Sequence, residues 1–384
     1  MDFSIDLETQ EKARATRQFC EKHIDPYVAN WDSGETIATS VFEQMAALGL
    51  MSLRIPSENG GESASFLECG SLVYEVGRAD VGLALMVVNG VFFGEIMGLM
   101  TEPTRSRWAP RVAAGAPFAI TLTEPDAGSD AASIRTTAVR DGDHYIVNGS
   151  KMWITNARYA NPLPTLVKTD PNTTPAHKGM SVLLVEATLP GFSVSRDIPK
   201  IGYKGTESCE VVFDNVKVPV ECLLGGIEGR GMQQVLSALE TGRINVAARA
   251  LGVAQASYDK ALSYSKQREA FGQPISAFQA IQLKLADMAT EIQASRLLTY
   301  WAASKLDRGE RADLESSMAK LFASEVALKA SLESMRIHGG YGYSSEFEVE
   351  RYYRDAPLMA IGEGTSDILR MVIAKQLLAG AELS

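Results

Sequence analysis

The sequence has little of what several functional classes require. Its 384 residues include only four cysteines and four histidines, and both sets are widely scattered with no CxxC pair. Zinc sites and redox dithiols depend on such close spacing, so we expect reduced thiols and no bound metal. The formal charge of -10 leaves no excess of lysine and arginine for a general nucleic-acid surface.

Long apolar runs are also missing. No stretch approaches the roughly 20 residues that a helix needs to cross a bilayer. The first residues, MDFSIDLETQEKARATRQF, are acidic and amphipathic, whereas a secretory signal begins with basic residues and a transit peptide is poor in acids. The sequence therefore predicts a cytoplasmic protein with no membrane contact.

What the chain does have is a hydrophobic pattern that changes twice. Residues 1–116 place apolar residues at helical spacing, as in SVFEQMAALGLMSL. Residues 117–227 contain short alternating or β-branched runs such as MSVLLVEA and CEVVFDNVKV. Residues 228–384 return to long helical segments. The pattern predicts an α+β fold: a helical domain, a β domain and a helical bundle.

Turn signals divide these zones further. Asp141-Gly142 lies between two alternating runs and predicts a tight β-hairpin. In the last zone, Gly272-Gln273-Pro274 and His338-Gly339-Gly340 interrupt the helical pattern, so each predicts the end of a long helix.

The stretch ITLTEPDAGSDAAS begins at Ile120 and offers a candidate ligand loop. Gly128 lets the backbone N–H groups approach a phosphate or a polar ring edge, and the hydroxyls of Thr123 and Ser129 add polar contacts. A simple Gly-Ser turn is the alternative interpretation.

The stretch KMWITNA contains Trp153 two residues before Thr155. On a strand, this spacing directs both side chains to one face, where an indole could lie against a flat ring. Taken alone, the stretch more often indicates a core tryptophan on a strand.

Two further stretches contain charged residues at helical spacing. Glu240 and Arg243 lie one turn apart, which indicates either a local salt bridge or an arginine that meets a polar ligand. Arg268 and Phe271 precede a Gly-Gln-Pro turn, which is ordinarily just a helix end.

Taken in order, these stretches resemble the acyl-CoA dehydrogenase family. The motifs LTEPDAGSD, NGSKMWITNA, QREAFGQPI, RIHGGYGY and IGEGTSDILR all occur in the family's order and spacing, over roughly residues 3 to 380. The resemblance implies a helical domain, a middle β-barrel-like domain and a carboxy-terminal four-helix bundle. It also implies a homotetramer, arranged as a dimer of dimers.

The resemblance implies FAD as the cofactor, with its adenosine end reaching a neighbouring subunit. The implied FAD contacts, by motif position, are Ile120, Leu122, Thr123, Gly128, Ser129, Trp153, Ile154, Thr155, Arg268, Phe271, Gln279, Arg336, Gly339, Gly340, Thr365 and Asp367. The implied acyl-CoA contacts are Ser129, Glu240, Arg243 and Gly364.

By the same resemblance, Glu363 is the catalytic base, between two glycines that leave room for an acyl chain. It would remove the α-proton of a saturated acyl-CoA while a β-hydride leaves to flavin N5, which yields a trans-2-enoyl-CoA. An electron-transfer flavoprotein is the implied electron acceptor.

Three departures from common family patterns bear on the reaction and its substrate. Gly242 stands where some relatives carry the base, which favours Glu363. Ala84 stands where decarboxylating relatives carry an arginine, which disfavours oxidative decarboxylation. Gly362 replaces a tyrosine that often precedes the base, and this favours a branched, cyclic or otherwise bulky acyl group.

Two other classes of function remain open at this stage. One is an oxygen-using acyl-CoA oxidase or flavin monooxygenase on the same fold, and the retained Glu363 argues against the monooxygenase. The other is a non-enzymatic binding protein, including the nucleic-acid-binding branch of the family, which the negative charge disfavours.

Overall fold

Helices form the amino-terminal part of the chain, as the apolar spacing predicts. The computed structural model describes residues 5–381, so residues 1–4 and 382–384 of the predicted outer domains lie outside the described part. The helices here are α1 (Leu7–His23), α2 (Val28–Asp32), α3 (Thr39–Ala47), α4 (Phe66–Ala79), α5 (Val81–Met97) and α6 (Thr104–Ala113).

Helix α5 is apolar on every side and nearly all of it is buried, which is the pattern of a helix enclosed by other elements. Its first turn is capped by Asp80, whose side chain accepts a hydrogen bond of 2.8 Å from the N–H of Leu83. Because α5 lies in the middle of the core, it can contact both the sheet and the bundle.

The middle of the chain is a six-stranded sheet. Its strands are β1 (Thr137–Asp141), β2 (His144–Thr155), β3 (Leu163–Lys168), β4 (Met180–Val185), β5 (Phe192–Asp197) and β6 (Ser208–Pro219). They lie in the order β4-β3-β1-β2-β6-β5, and all neighbours are antiparallel except β1 and β3. The predicted hairpin is confirmed, because Asp141 pairs with His144 and Gly142 has a φ of +61°.

Long helices return after the sheet. The elements are α7 (Gly231–Gln267), β7 (Glu269–Ala270), β8 (Gln273–Pro274), α8 (Gln279–Asp307), α9 (Asp313–His338), α10 (Val349–Ile361) and α11 (Ser366–Leu378). Helices α7, α8, α9 and α10 pack together, and α11 packs on α9. Both predicted breaks are confirmed: Gly272 lies in the turn between β7 and β8, and α9 ends at His338.

Helix α4 crosses α7 at very short range. A Cβ on Gly252 would lie 2.7 Å from the carbonyl carbon of Gly77, and a Cβ on Gly77 would lie 3.3 Å from the Cα of Arg249. Such close approach is possible only because both positions are glycine. The backbone of Arg249 is therefore held in place by the amino-terminal helices.

The order of helical, β and helical parts confirms the predicted α+β class. The domain boundaries after residues 116 and 227 stay predictions. All four cysteines are free and buried. Among residues 5–381, no helix has the length and apolar character needed to cross a membrane, and no group of three or more acidic, histidine or cysteine side chains could hold a metal ion.

Candidate active site

Glu363 lies in the short connection between α10 and α11. It has a φ of +55°, and Gly364 after it has a φ of +97°. The left-handed conformation is uncommon for a glutamate and is often found at functional sites. The connection ends at Thr365, whose hydroxyl caps α11 by accepting from the N–H of Ile368 at 3.3 Å.

The Glu363 carboxylate faces α7, with 19% of the side chain exposed. Its Oε1 accepts a hydrogen bond of 3.1 Å from Nη2 of Arg249, whereas its buried Oε2 has no partner among the described residues. A Cβ on Gly242 would overlap Oε2 and would lie 2.7 Å from Cζ of Phe92. The missing side chain at 242 is therefore what makes room for the carboxylate.

Three cations surround this carboxylate. Burial raises the pKa of Glu363, and Arg249, Lys320 and Arg243 oppose that rise. Lys320 is fully buried, and its Nζ donates to the carbonyl of Gly364 at 2.6 Å. Burial lowers the pKa of Lys320 to about 8. Lys320 thus holds the carbonyl of Gly364, next to the base, and Arg249 holds the carboxylate of the base itself.

Glu240 and Arg243 do not pair with each other, so the interpretation as a local salt bridge is wrong. Glu240 accepts from Nε of Arg311 at 3.1 Å and from the N–H of Ala312, next to the start of α9. Arg243 contacts Asp313 at 3.6 Å and donates to Ser317 at 3.3 Å. Both side chains contact residues at or just before the start of α9, about 70 residues away in sequence, which local spacing cannot reveal.

The loop that begins at Ile120 is fixed to β2 by a buried ion pair. Nζ of Lys151 donates to Oε1 of Glu124 and to the carbonyl of Leu122, both at 2.9 Å. The N–H of Met152 also donates to the carbonyl of Thr123 at 2.8 Å. Beyond this anchored part, Gly128 and Ser129 are exposed.

Trp153 is 54% exposed, so its interpretation as a core tryptophan is wrong. The pairing of β2 with β6 shifts between Lys151 and Ile154, and Trp153 has a φ of +64° within this irregularity. Ile154 points into the core, and Thr155 is half-buried. An exposed indole next to the anchored loop is available to a flat ligand.

Helix α5 contacts each part of this site. Met86 contacts the side chain of Asn156 at the end of β2, and Asn89 donates to the carbonyl of Phe118 at 2.9 Å, just before the anchored loop. Phe92, on the same helix, lies beside Gly242 and Oε2 of Glu363. The loop, the tryptophan strand and the base are therefore joined through one buried helix.

Some of the other candidate residues line an open cavity of about 630 Å³ at the end of α9. Arg268, Gly339 and Gly340 border it, and a Cβ on either glycine would meet nothing within 4 Å. The remaining candidates lie outside this lining and are surface residues: Phe271 (96% exposed), Gln279, Arg336 and Asp367. Arg336 pairs with Glu333, and Asp367 pairs with Arg370 at 3.1 Å.

Sequence reasoning missed three residues that contact the base or its loop: Arg249, Lys320 and Phe92. Arg249 lies seven residues after Gly242, two helical turns along the same face of α7. That spacing was a usable signal once Gly242 had been singled out. Lys320 and Phe92 gave no comparable signal, because both lie in ordinary helical patterns.

Family models match almost the whole chain. They are the amino-terminal, middle and carboxy-terminal domains of acyl-CoA dehydrogenase, which match residues 7–116, 119–216 and 229–378.

Individual proteins are similar over the same length. A probable acyl-CoA dehydrogenase of Bacillus subtilis is 40% identical, with 98% of this chain and all of the relative covered. An acryloyl-CoA reductase (NADH) of Anaerotignum propionicum is 37% identical, with 98% and 96% covered. A structure of glutaryl-CoA dehydrogenase from Mycobacterium smegmatis in complex with FADH2 superposes with a TM-score of 0.92 at 29% identity, covering 99% of this chain and 97% of that one.

The agreement extends over all three parts of the fold and confirms the resemblance drawn from the motifs. The chain belongs to the acyl-CoA dehydrogenase family, flavin-dependent oxidoreductases that act on CH–CH bonds.

Proposed function

We propose that the protein converts a saturated acyl-CoA thioester to the trans-2-enoyl-CoA, with Glu363 as the base that removes the α-proton. The observation that supports this most is the state of the Glu363 carboxylate. One oxygen is held by Arg249, and the other is buried without a partner in residues 5–381, above the bare backbone of Gly242.

The chemistry requires such a group. The α-proton of a thioester is only weakly acidic, so its removal needs a carboxylate held beside the carbon and nearby groups that stabilise the developing negative charge. A bound acyl chain would exclude the remaining water from Glu363 and raise its pKa further, which makes it a stronger base. Arg249, Lys320 and Arg243 oppose that rise.

We propose Arg243, Gly364 and Ser129 as substrate contacts. We no longer propose Glu240, whose carboxylate instead holds the chain just before α9. Both oxygens of Glu240 accept hydrogen bonds from Arg311 and Ala312, the two residues just before α9. Nε of Arg243 is buried and lacks a partner within the described chain, so this guanidinium still has a donor for a polar ligand atom.

The residues present fit a flavin, and we propose FAD. The exposed Trp153 and the anchored loop supply a flat apolar surface beside backbone polar groups. The open cavity at Arg268, Gly339 and Gly340 suits the adenosine pyrophosphate of the FAD that a neighbouring subunit would bind. When bound, FAD supplies the hydride acceptor. The remaining FAD contacts inferred from the motifs are part of this proposal.

The electron acceptor and the assembly follow from the family resemblance. We propose an electron-transfer flavoprotein as the acceptor and a dimer of dimers as the assembly. Phe271 follows the cavity residue Arg268 by three positions and is almost fully exposed, which is consistent with a subunit contact. A cytoplasmic location stays a prediction.

A second candidate is the reverse reaction, reduction of a 2-enoyl thioester. The observation that favours it is the similarity to the acryloyl-CoA reductase. The same geometry serves both directions, since Glu363 would return the proton that it removes in the forward reaction.

Gly362 leads to a testable prediction about which acyl group the protein prefers. Its φ of -68° tolerates a side chain, and a Cβ there would lie 3.3 Å from the carbonyl of Leu358. Gly362→Tyr should narrow the site and shift the ratio of kcat/KM for butyryl-CoA over isovaleryl-CoA by about tenfold or more toward butyryl-CoA. Steady-state kinetics with both thioesters measure this ratio, and the flavin content of the variant serves as its control. An unchanged ratio would show that position 362 does not face the acyl chain.

The function is tested by anaerobic titration of the yellow protein with butyryl-, octanoyl-, isovaleryl- and 3-phenylpropanoyl-CoA, followed by flavin absorbance. Bleaching by one class supports the proposal and identifies that class. Rapid oxygen consumption during turnover would favour an oxidase, whereas NADH-dependent reduction of an enoyl-CoA without net oxidation would favour the reductase.

A further inference from the structure

We propose that Arg249 is the positioning residue of the base: it holds one carboxylate oxygen of Glu363 in place and leaves the other free to take the proton. This inference rests on the proposed function of Glu363. Arg249 would not touch the reacting atoms but would act through the carboxylate.

The geometry divides the two oxygens of Glu363. Gly242 and Arg249 lie two turns apart on one face of α7, and the carboxylate meets both. Oε1 is bound to Arg249 at 3.1 Å, and Oε2 lies over Gly242 beside the ring of Phe92. The anchored oxygen thereby determines which oxygen is left buried without a hydrogen-bond partner among the described residues.

The anchor is itself held firmly. Arg249 is 5% exposed, and its backbone packs against Gly77 of α4. Glu363, by contrast, lies on a short connection in an uncommon backbone conformation. A buried helix, and not only the connection that carries Glu363, therefore orients this side chain.

Arg249 is also the nearest countercharge to the base. Of the cations that face Glu363, Arg243 of α7 is bound to Asp313 and Ser317, and Lys320 of α9 donates to a carbonyl. Arg249 makes the only direct ion pair with the carboxylate among the described residues. The other elements around it contribute Phe92 of α5, which is uncharged, and Tyr203, whose pKa burial raises. Behind Tyr203 lies a separate buried cluster of Asp80, Arg351 and Asp355.

A role limited to folding is a weaker explanation. Burying two charges costs free energy that their attraction often fails to recover, so stability alone gives little reason for this pair. In addition, Nε of Arg249 is buried without a partner in the part of the chain that the structure describes, which is a poor arrangement for a stabilising contact. The pair is better explained by what it does to the carboxylate.

The test compares Arg249→Gln, Arg249→Met and Arg249→Lys with the wild type. The readout is the rate of anaerobic flavin reduction from pH 5.5 to 9, with whichever thioester of the panel bleaches the wild type. Loss of the cation should move the acid limb of the limiting rate about 1 to 3 pH units upward, because a neighbouring opposite charge lowers a carboxyl pKa by about that amount. At the acidic end this corresponds to a loss of about tenfold or more. KM should stay within about twofold, since Arg249 does not bind the thioester.

Arg249→Lys keeps the charge but not the geometry of the contact. It should retain the wild-type acid limb and lose several-fold in limiting rate. Arg296→Gln is the matched control: it removes another largely buried arginine, which contacts Tyr74 and Gln255 and shares no partner with Glu363, and the acid limb should not move.

Three outcomes overturn the proposal. In the first, Arg249→Gln keeps the wild-type acid limb while Glu363→Gln is inactive; Glu363 is then the base, but Arg249 does not position it. In the second, Arg249→Gln selectively loses turnover of a thioester with a terminal carboxylate, such as glutaryl-CoA, which would make Arg249 a substrate contact. In the third, Arg249→Lys reduces its flavin at the full wild-type rate. This outcome still tests the proposal if the Gln and Met variants do not fold. Activity in Glu363→Gln would instead refute the proposed function.

Discussion

Glu363→Gln should slow anaerobic flavin reduction by an acyl-CoA about 10²- to 10⁴-fold, the usual contribution of a positioned general base. Glutamine has nearly the same shape but cannot accept the α-proton. Because glutamine fits the space that the glutamate side chain occupies, flavin content and thermal stability should stay close to wild type.

Stopped-flow absorbance at saturating thioester measures this effect directly. The matched control is Glu75→Gln, which removes a partly buried carboxylate that pairs with Arg78 on α4 and should leave the rate unchanged. If Glu363→Gln reduced its flavin at the wild-type rate, the base would have to be another residue.

Gly242→Ala should lower the limiting rate of flavin reduction by about 10²-fold, because a displacement of about 1 Å at a reacting group can cost that much. The added methyl group would overlap Oε2 of Glu363 and crowd the ring of Phe92. The carboxylate would have to move, whereas the binding of the CoA portion should change little.

This substitution separates chemistry from folding because alanine favours helices over glycine by about 1 kcal/mol. Gly70→Ala on α4 is the matched control, since a Cβ at that helical position meets nothing within 4 Å. It should leave the rate unchanged and should not lower the free energy of unfolding. A Gly242→Ala variant as fast as wild type would mean that Oε2 is not confined as the structure describes.

The order of the fold was predictable because each zone has its own hydrophobic period. Helical spacing, short alternating runs and the turn at Asp141-Gly142 are local properties, and the hairpin follows from them directly. The break at Gly272, which follows the end of α7, and the end of α9 at His338 were predictable for the same reason.

The site was less predictable where its contacts join distant parts of the chain. The spacing of Glu240 and Arg243 suggested a mutual salt bridge, but both side chains pair near the start of α9 instead. A competing partner about 70 residues away leaves no trace in the local pattern. The interpretation of Trp153 as a core residue was wrong for a related reason, because period-two alternation does not reveal the irregularity that turns the indole outward.

Gly242 combines both cases. A glycine at position 242 cannot supply a base, as the sequence indicated. The structure adds that the missing side chain makes room for the carboxylate of Glu363. The partner that completes the arrangement, Arg249, lies 114 residues before Glu363 and is brought to it only by the fold.

The central claim is that this chain oxidises a saturated acyl-CoA through the carboxylate of Glu363. The most direct test is anaerobic titration of the wild-type flavoprotein with the panel of saturated thioesters, with the product identified by mass spectrometry and NMR. We expect loss of flavin colour with one trans-2-enoyl-CoA formed for each flavin reduced. A flavin that stays oxidised with every thioester, or that is reduced without an enoyl-CoA product, would contradict it.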